Sequence, residues 1–158
     1  MTTIGHLVRR FVWTIRAKPL SPREQAEADG LLREVERPLF WGQPFVDQRH
    51  GLQGARRVLA AQPGARSVAR AALLHDVGKR HAGLGTMRRS LASGFRLFGL
   101  RPPWWRSYYD HGRIGSRELA ELAAEELVIE WARVHADGPR PSTITAEEWA
   151  ALKAADRA

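Results

Sequence analysis

The adjacent pair His75 and Asp76 has the chemistry to hold metal ions, and His50 upstream with His111, His135 and Asp156 downstream make up six candidate ligands around it. Neutral imidazole and carboxylate suit Zn, Fe, Mn and related divalent ions, and six such groups are about what two adjacent ions need if one carboxylate bridges them. The chain contains no cysteine, so thiolate zinc sites, disulfides and cysteine nucleophiles are excluded and any metal takes nitrogen and oxygen ligands. At the centre of the set is the adjacent pair His75-Asp76, which ends the apolar run Leu73-Leu74. Neither His6 nor His81, the latter in a Gly-rich basic stretch, is expected to be a ligand. Asp137 is an alternative to His135 or a support for it.

About one helix per ligand is required to bring such distant positions together, and helices are rigid enough to aim them into one interior pocket. The composition favours this, because Ala, Leu, Arg and Glu recur while β-branched clusters and hairpin-turn dipeptides are nearly absent, which reads as an all-α fold. Ser21-Pro22-Arg23-Glu24 is a capping box that opens a helix to about Glu36. The stretch Leu39 to Phe45 reads as a turn or short helix with core aromatics. Leu52, Ala55, Val58 and Leu59 predict a helix over Arg49 to Ala60, ended by Gln62-Pro63-Gly64, with His50 in its first turn. The next helix begins near Arg66, buries Val68, Ala71, Ala72 and Leu74, and stops at Gly78, so that His75-Asp76 fall in its last turn.

Glycines at 83, 85, 94 and 99 punctuate a basic stretch with a helix around Met87 to Leu97. After Arg101-Pro102-Pro103 a helix starts near Trp104 or restarts at Asp110, carrying Ile114, Leu119 and Leu122. A further helix covers Leu127 to Val134, with no strong signal for the break before it. Asp137 to Pro141 is a loop. Thr145-Ala146-Glu147-Glu148 repeats the capping-box pattern and opens a helix holding Trp149, Leu152 and Asp156.

At 158 residues the chain fits one domain. Residues 1–20 form an N-terminal basic amphipathic segment, in which Phe11, Trp13 and Ile15 pack onto the domain or make peripheral membrane contact, and residues 21–158 form the domain itself. The formal charge of +8 draws in phosphates, nucleic acid or anionic lipid without choosing among them, and the Arg residues are spread through most of the chain. Trp104, Trp105, Tyr108 and Tyr109 suit packing or a pocket wall better than a base-stacking platform, which argues against a nucleic-acid partner. No apolar run reaches bilayer length and no secretory cleavage pattern is present, so the expected location is the cytoplasm.

The order His50, His75-Asp76, His111, His135, Asp156 resembles the HD-domain superfamily of metal-dependent phosphohydrolases, in its binuclear-metal branch. The resemblance covers about residues 40–158 and is carried by Gln48-Arg49-His50, Leu73-Leu74-His75-Asp76-Val77-Gly78-Lys79 and Asp110-His111-Gly112-Arg113-Ile114-Gly115. It implies a single compact helical bundle with the metal site in its interior. It also implies that His50, His75, Asp76 and Asp156 bind one ion while Asp76 bridges to a second held by His111 and His135. Two divalent transition-metal ions are implied, Fe or Mn first and Zn, Ni, Co or Mg as alternatives. In such an enzyme, metal-activated hydroxide attacks a small phosphate-containing substrate, a phosphoester such as a nucleotide or cyclic nucleotide. Asp76 and Lys79 are then the catalytic residues, with Lys79, Arg80 and Arg113 as candidates for the substrate anion. Two alternatives share the ligands: an HD-type diiron oxygenase, and a non-catalytic module that captures an anion. The chain lacks a Gly-Tyr-Pro element and has Ala136 where some cyclic-dinucleotide enzymes have a second histidine.

Overall fold

A computed structural model of the chain describes residues 18–82 and 110–157. Among these the fold is all-α, with seven α-helices, two 3-10 turns and no strand. The expected amphipathic segment over residues 4–15, the helix around Met87 to Leu97, the start at Trp104 and the aromatic group at 104–109 lie outside the described residues.

Helix α1, Pro22–Leu31, opens on the expected capping box: the Ser21 amide donates to Glu24 Oε2 at 2.9 Å and the Glu24 amide to Ser21 Oγ at 3.4 Å. It ends five residues short of Glu36, because Leu32 turns extended and Glu34–Glu36 form a separate 3-10 turn. Glu36 is fully buried, and a buried carboxylate is costly unless paired and hydrogen-bonded. The break allows Arg33 to meet that need, its amide and its Nε each donating to Glu36 at 2.9 Å. Helix α2, Arg37–Trp41, buries Phe40 and leaves Trp41 half-buried. Phe45, expected in the core with the other aromatics, is instead 51% exposed: it is the first residue of its helix, ahead of the first buried positions, Asp47 and Gln48.

Helix α3 runs Phe45–Ala61, four residues earlier than the apolar spacing predicts, since Pro44 starts it. His50 is therefore in its second turn, not its first. Helix α4, Arg66–Leu74, is the central element and packs against α1, α3 and two later helices. Val68, Ala69, Ala71, Ala72, Leu73 and Leu74 are all buried, and the alanines let neighbours approach closely. The α-helix stops at Leu74 and not at Gly78; His75 caps it, and Val77–Ala82 tighten into a 3-10 turn.

Helices α5, His111–Glu121, and α6, Glu126–Val134, form an antiparallel pair. Their break is a Schellman turn, with Ala124 N donating to Leu119 O and Ala123 N to Ala120 O, both at 2.9 Å. Glycine is the usual residue in its left-handed position, but here Ala123 has φ 48°, so composition gave little sign of the boundary. Arg33 reaches across to donate to the Leu122 and Ala123 carbonyls, which holds the turn. Helix α7, Ala146–Arg157, opens on the predicted Thr145 box and packs on α3 and α4. No helix among the described residues is long and apolar enough to cross a membrane.

Backbones meet closely where the ligands emerge. A Cβ on Gly78 would lie 2.0 Å from His111 O and 2.7 Å from Gly115 N, so the 3-10 turn can press on α5 only with glycine there. Helix crossings at Gly51 on Leu73 and at Gly112 on Ala132 are similarly tight. The Gly78→Ala variant is expected to lose stability by at least about 1–3 kcal/mol, the scale of overpacking against an unyielding backbone. The check is a lowered urea midpoint with an unchanged denaturant slope.

Candidate metal centre

The six sequence-derived ligands arrive from five parts of the bundle, and the structure brings all six together. His50 comes from α3, His75 and Asp76 from the exit of α4, His111 from the first position of α5, His135 from the end of α6 and Asp156 from the last turn of α7. His75 and His135 are held by the same device. Each caps its helix, and its Nδ1 lies against the carbonyl three residues back, Ala72 O at 2.8 Å and Ala132 O at 2.9 Å. A carbonyl only accepts, so each Nδ1 carries a proton and each Nε2 is the nitrogen aimed inward.

Asp76 is the common member. Its Oδ1 lies 3.5 Å from His111 Nε2 and 3.4 Å from His135 Nε2, and those two nitrogens are 3.1 Å apart. Its Oδ2 lies 3.4 Å from His75 Nε2. Asp156 Oδ1 completes the second group at 3.3 Å from His75 Nε2 and 3.4 Å from His50 Nε2. Donors about 2.1 Å from a common ion, at tetrahedral to octahedral angles, lie ~3.0–3.4 Å from one another, which matches these separations. Asp76 Oδ1 and His75 Nε2 are buried without a hydrogen-bond partner among the described residues, a costly arrangement for protein alone. The residues fit a divalent cation: the buried cluster of Asp76, His111 and His135 can bind a metal ion, and His50, His75 and Asp76 form a second candidate group.

Exposure gives the centre a direction. Asp76, His75, His111 and His135 are buried, whereas the His50 and Asp156 side chains keep 22% and 27% of their surface, so solvent reaches the cluster from their side. Gly54, Ala72, Trp131, Leu152 and Ala155 wall a small recess beside His50, His75 and Asp156. Burial opposes ionisation of Asp76, but His75 and Lys79 outweigh it and hold its carboxyl well below the usual range. Asp156 is likewise lowered against burial, through His50 and His75. For His75, burial works to discharge the ring, yet Asp76 and Asp156 prevail and raise it to about 10. His135, for which burial dominates, is lowered. Without a metal, the proton on His75 thus balances part of the carboxylate charge.

The remaining candidates are placed differently. Lys79 Nζ sits 2.5 Å from Asp76 Oδ2 inside the cluster. Arg80 donates to Glu118 Oε1 at 2.6 Å and to the Val77 carbonyl at 3.0 Å, and His81 shares the same Glu118 oxygen. Arg113 is exposed and reaches Asp110 Oδ2 at 3.2 Å. Asp137 is exposed, and His135 is the residue that joins the cluster. The carbonyls of Ala72 and Ala132 were not anticipated from the sequence, although the repeated pattern Ala-x-x-His at the ends of α4 and α6 is visible in it. The Lys and Arg residues are spread along the chain, as expected, whereas the acids are not. Residues 1–17 and 83–109 hold eight of the 25 Lys and Arg and none of the 17 Asp and Glu, leaving the described residues formally neutral.

No family model matches this chain, and comparison with curated proteins and with solved structures gives no match either.

A metal binding at His75 Nε2 has to displace the proton held there. Because the metal-free pKa is about 10, affinity is expected to rise with pH throughout the neutral range, by about tenfold per unit from this proton alone. Calorimetric titration in buffers of different ionisation enthalpy should register at least one proton released per ion bound at this group. Binding that is independent of pH between 6 and 9 would contradict the arrangement.

Proposed function

We propose that this protein is a metal-dependent phosphohydrolase of the HD-domain type, holding two divalent transition-metal ions on the two sides of Asp76. The observation that carries the reading is the division of labour within that carboxylate. Oδ1 faces His111 and His135, whereas Oδ2 faces His75, whose Nε2 also neighbours Asp156. In this reading His50, His75, Asp76 and Asp156 hold one ion, and Asp76, His111 and His135 the other. Imidazole and carboxylate donors suit Fe, Mn and Zn; the family resemblance puts Fe or Mn first, with Zn, Ni, Co and Mg as the other candidates. Divalent ions in such a site supply an acidified water and neutralise charge on phosphoryl oxygens.

The residues of the chain do the rest. Asp76 and Asp156, both held ionised, offset half of the charge of the cations and keep their oxygens available as acceptors. The Nδ1 contacts of His75 and His135 keep both rings turned inward. Lys79 carries its ammonium on Asp76 and offers a point charge to a phosphate oxygen entering from the His50 and Asp156 side. The net charge of +8 favours an anionic substrate, and a phosphoester such as a nucleotide or cyclic nucleotide is the class that suits it. Arg80 and Arg113, engaged with Glu118 and Asp110, are secondary candidates for the same anion.

The test is an anaerobic assay of Mn-loaded protein against phosphomonoesters, phosphodiesters and nucleotides. Phosphate or monoester release is expected, abolished by Asp76→Ala and lowered about 10²–10³-fold in kcat/KM by Lys79→Ala, the usual scale for losing a charge-stabilising donor. Failure on every phosphoester, with oxygen uptake by the Fe(II)-loaded protein, would replace this reading with the diiron oxygenase that the same ligands allow.

A further inference from the structure

Helix α6 ends on His135, and its last carbonyls lack partners within the helix. One of them, His135 O, accepts a hydrogen bond from Lys153 Nζ at 2.6 Å. The ammonium also stands 4.9 Å from the ring centre of Trp149 and 5.5 Å from that of Trp131, so two indoles and a helix C-terminus surround one cation. Each of these environments favours positive charge. The two indoles pack edge to face at 5.4 Å, and Trp131 lies 6.0 Å from the His135 ring.

Lys153 precedes Asp156 by one helical turn on α7, so this contact joins the turn that carries Asp156 to the backbone of His135. Those two residues belong to different groups of the cluster: His135 with Asp76 Oδ1, and Asp156 with His50 and His75. From α3, Arg57 Nη1 donates to Ala155 O at 3.1 Å, which holds the same turn against the helix of His50. Arg57 thus ties Asp156 within its own group, and Lys153 ties it to the other.

We propose that Lys153 is a positioning residue that sets the spacing between the two metal-holding groups by bridging Asp156's helix to the His135 carbonyl. It touches neither ion nor substrate. The proposal rests on the reading of the cluster as a two-metal centre.

The experiment titrates the metal-free full chain with Mn(II) alone, with affinity from chelator competition and stoichiometry from elemental analysis. Lys153→Met keeps the aliphatic stem over the indoles and removes the charge. It is expected to weaken at least one Mn(II) site by about 10–100-fold, the usual cost of losing a support behind a metal ligand. The melting temperature of the metal-free protein should move by no more than about 4 °C. Lys153→Arg should restore affinity to near the unmodified level, and Lys153→Gln, a milder change that keeps a donor, should fall between the two. Unchanged Mn(II) affinity in Lys153→Met and Lys153→Gln overturns this proposal alone. Loss of affinity and melting temperature together in all three variants overturns it too, by showing a merely structural role. An unmodified chain that takes up no metal overturns the two-metal reading as well.

Discussion

A carboxylate removed from water has to be compensated by charge and donors, and Asp76 is nearly inaccessible in the middle of this bundle. Its neighbours are what the chain has assembled for that purpose: Lys79 on one oxygen, His75 beside the same oxygen, and His111 and His135 beside the other. Even so, Oδ1 keeps no hydrogen-bond partner among the described residues, and His75 Nε2 keeps none either. Two inward-facing polar atoms left in that condition are better suited to a cation than to each other. The demand for compensation at Asp76 decides which helices have to meet, and at which turns.

How they meet follows from residues with little or no side chain. Gly51, Gly78 and Gly112 each stand within three positions of a ligand, and each presses against a backbone that a methyl group would strike. Close backbone approach shortens the distance that an imidazole has to span. The ends of helices serve the same purpose, since His75 and His135 sit where the ladder stops and a carbonyl one turn back is available to fix the ring. His50, in mid-helix, has no such carbonyl contact on its ring among the described residues and meets Asp156 instead, and it is the most exposed histidine of the cluster. The buried side of the centre is therefore the one that α4, α5 and α6 supply, and the accessible side is the one that α3 and α7 supply.

The arginines of the described body serve largely internal partners. Arg33 binds Glu36 and the turn at Ala123, Arg49 and Arg56 bind Glu24 and Glu27, and Arg80 binds Glu118. Most of these contacts connect segments far apart in sequence, and with equal numbers of acids and bases the described residues carry no net formal charge. The excess of positive charge belongs to the two acid-free stretches, 1–17 and 83–109, the second of which joins the turn after Lys79 to the segment that begins α5.

Much of this protein was legible as a string of residues. The adjacent pair His75-Asp76 stood out by type and position, the resemblance in residue order implied His50, His111, His135 and Asp156 as its companions, and helix periodicity with two capping boxes announced most of the elements. Several boundaries were not legible: α1 stops early and lets Arg33 serve buried Glu36, α3 starts early at Pro44, and the turn at Ala123 has alanine where a glycine would have signalled it. Nor does any local pattern state that Arg80 faces Glu118, that Phe45 is exposed, or that Lys153 meets the His135 carbonyl. The sequence by itself determined which side chains are able to bind a cation and that helices carry them, since both are properties of single residues and their neighbours. Only the tertiary structure decided how those side chains divide between the two oxygens of Asp76, because that depends on where separate helices cross.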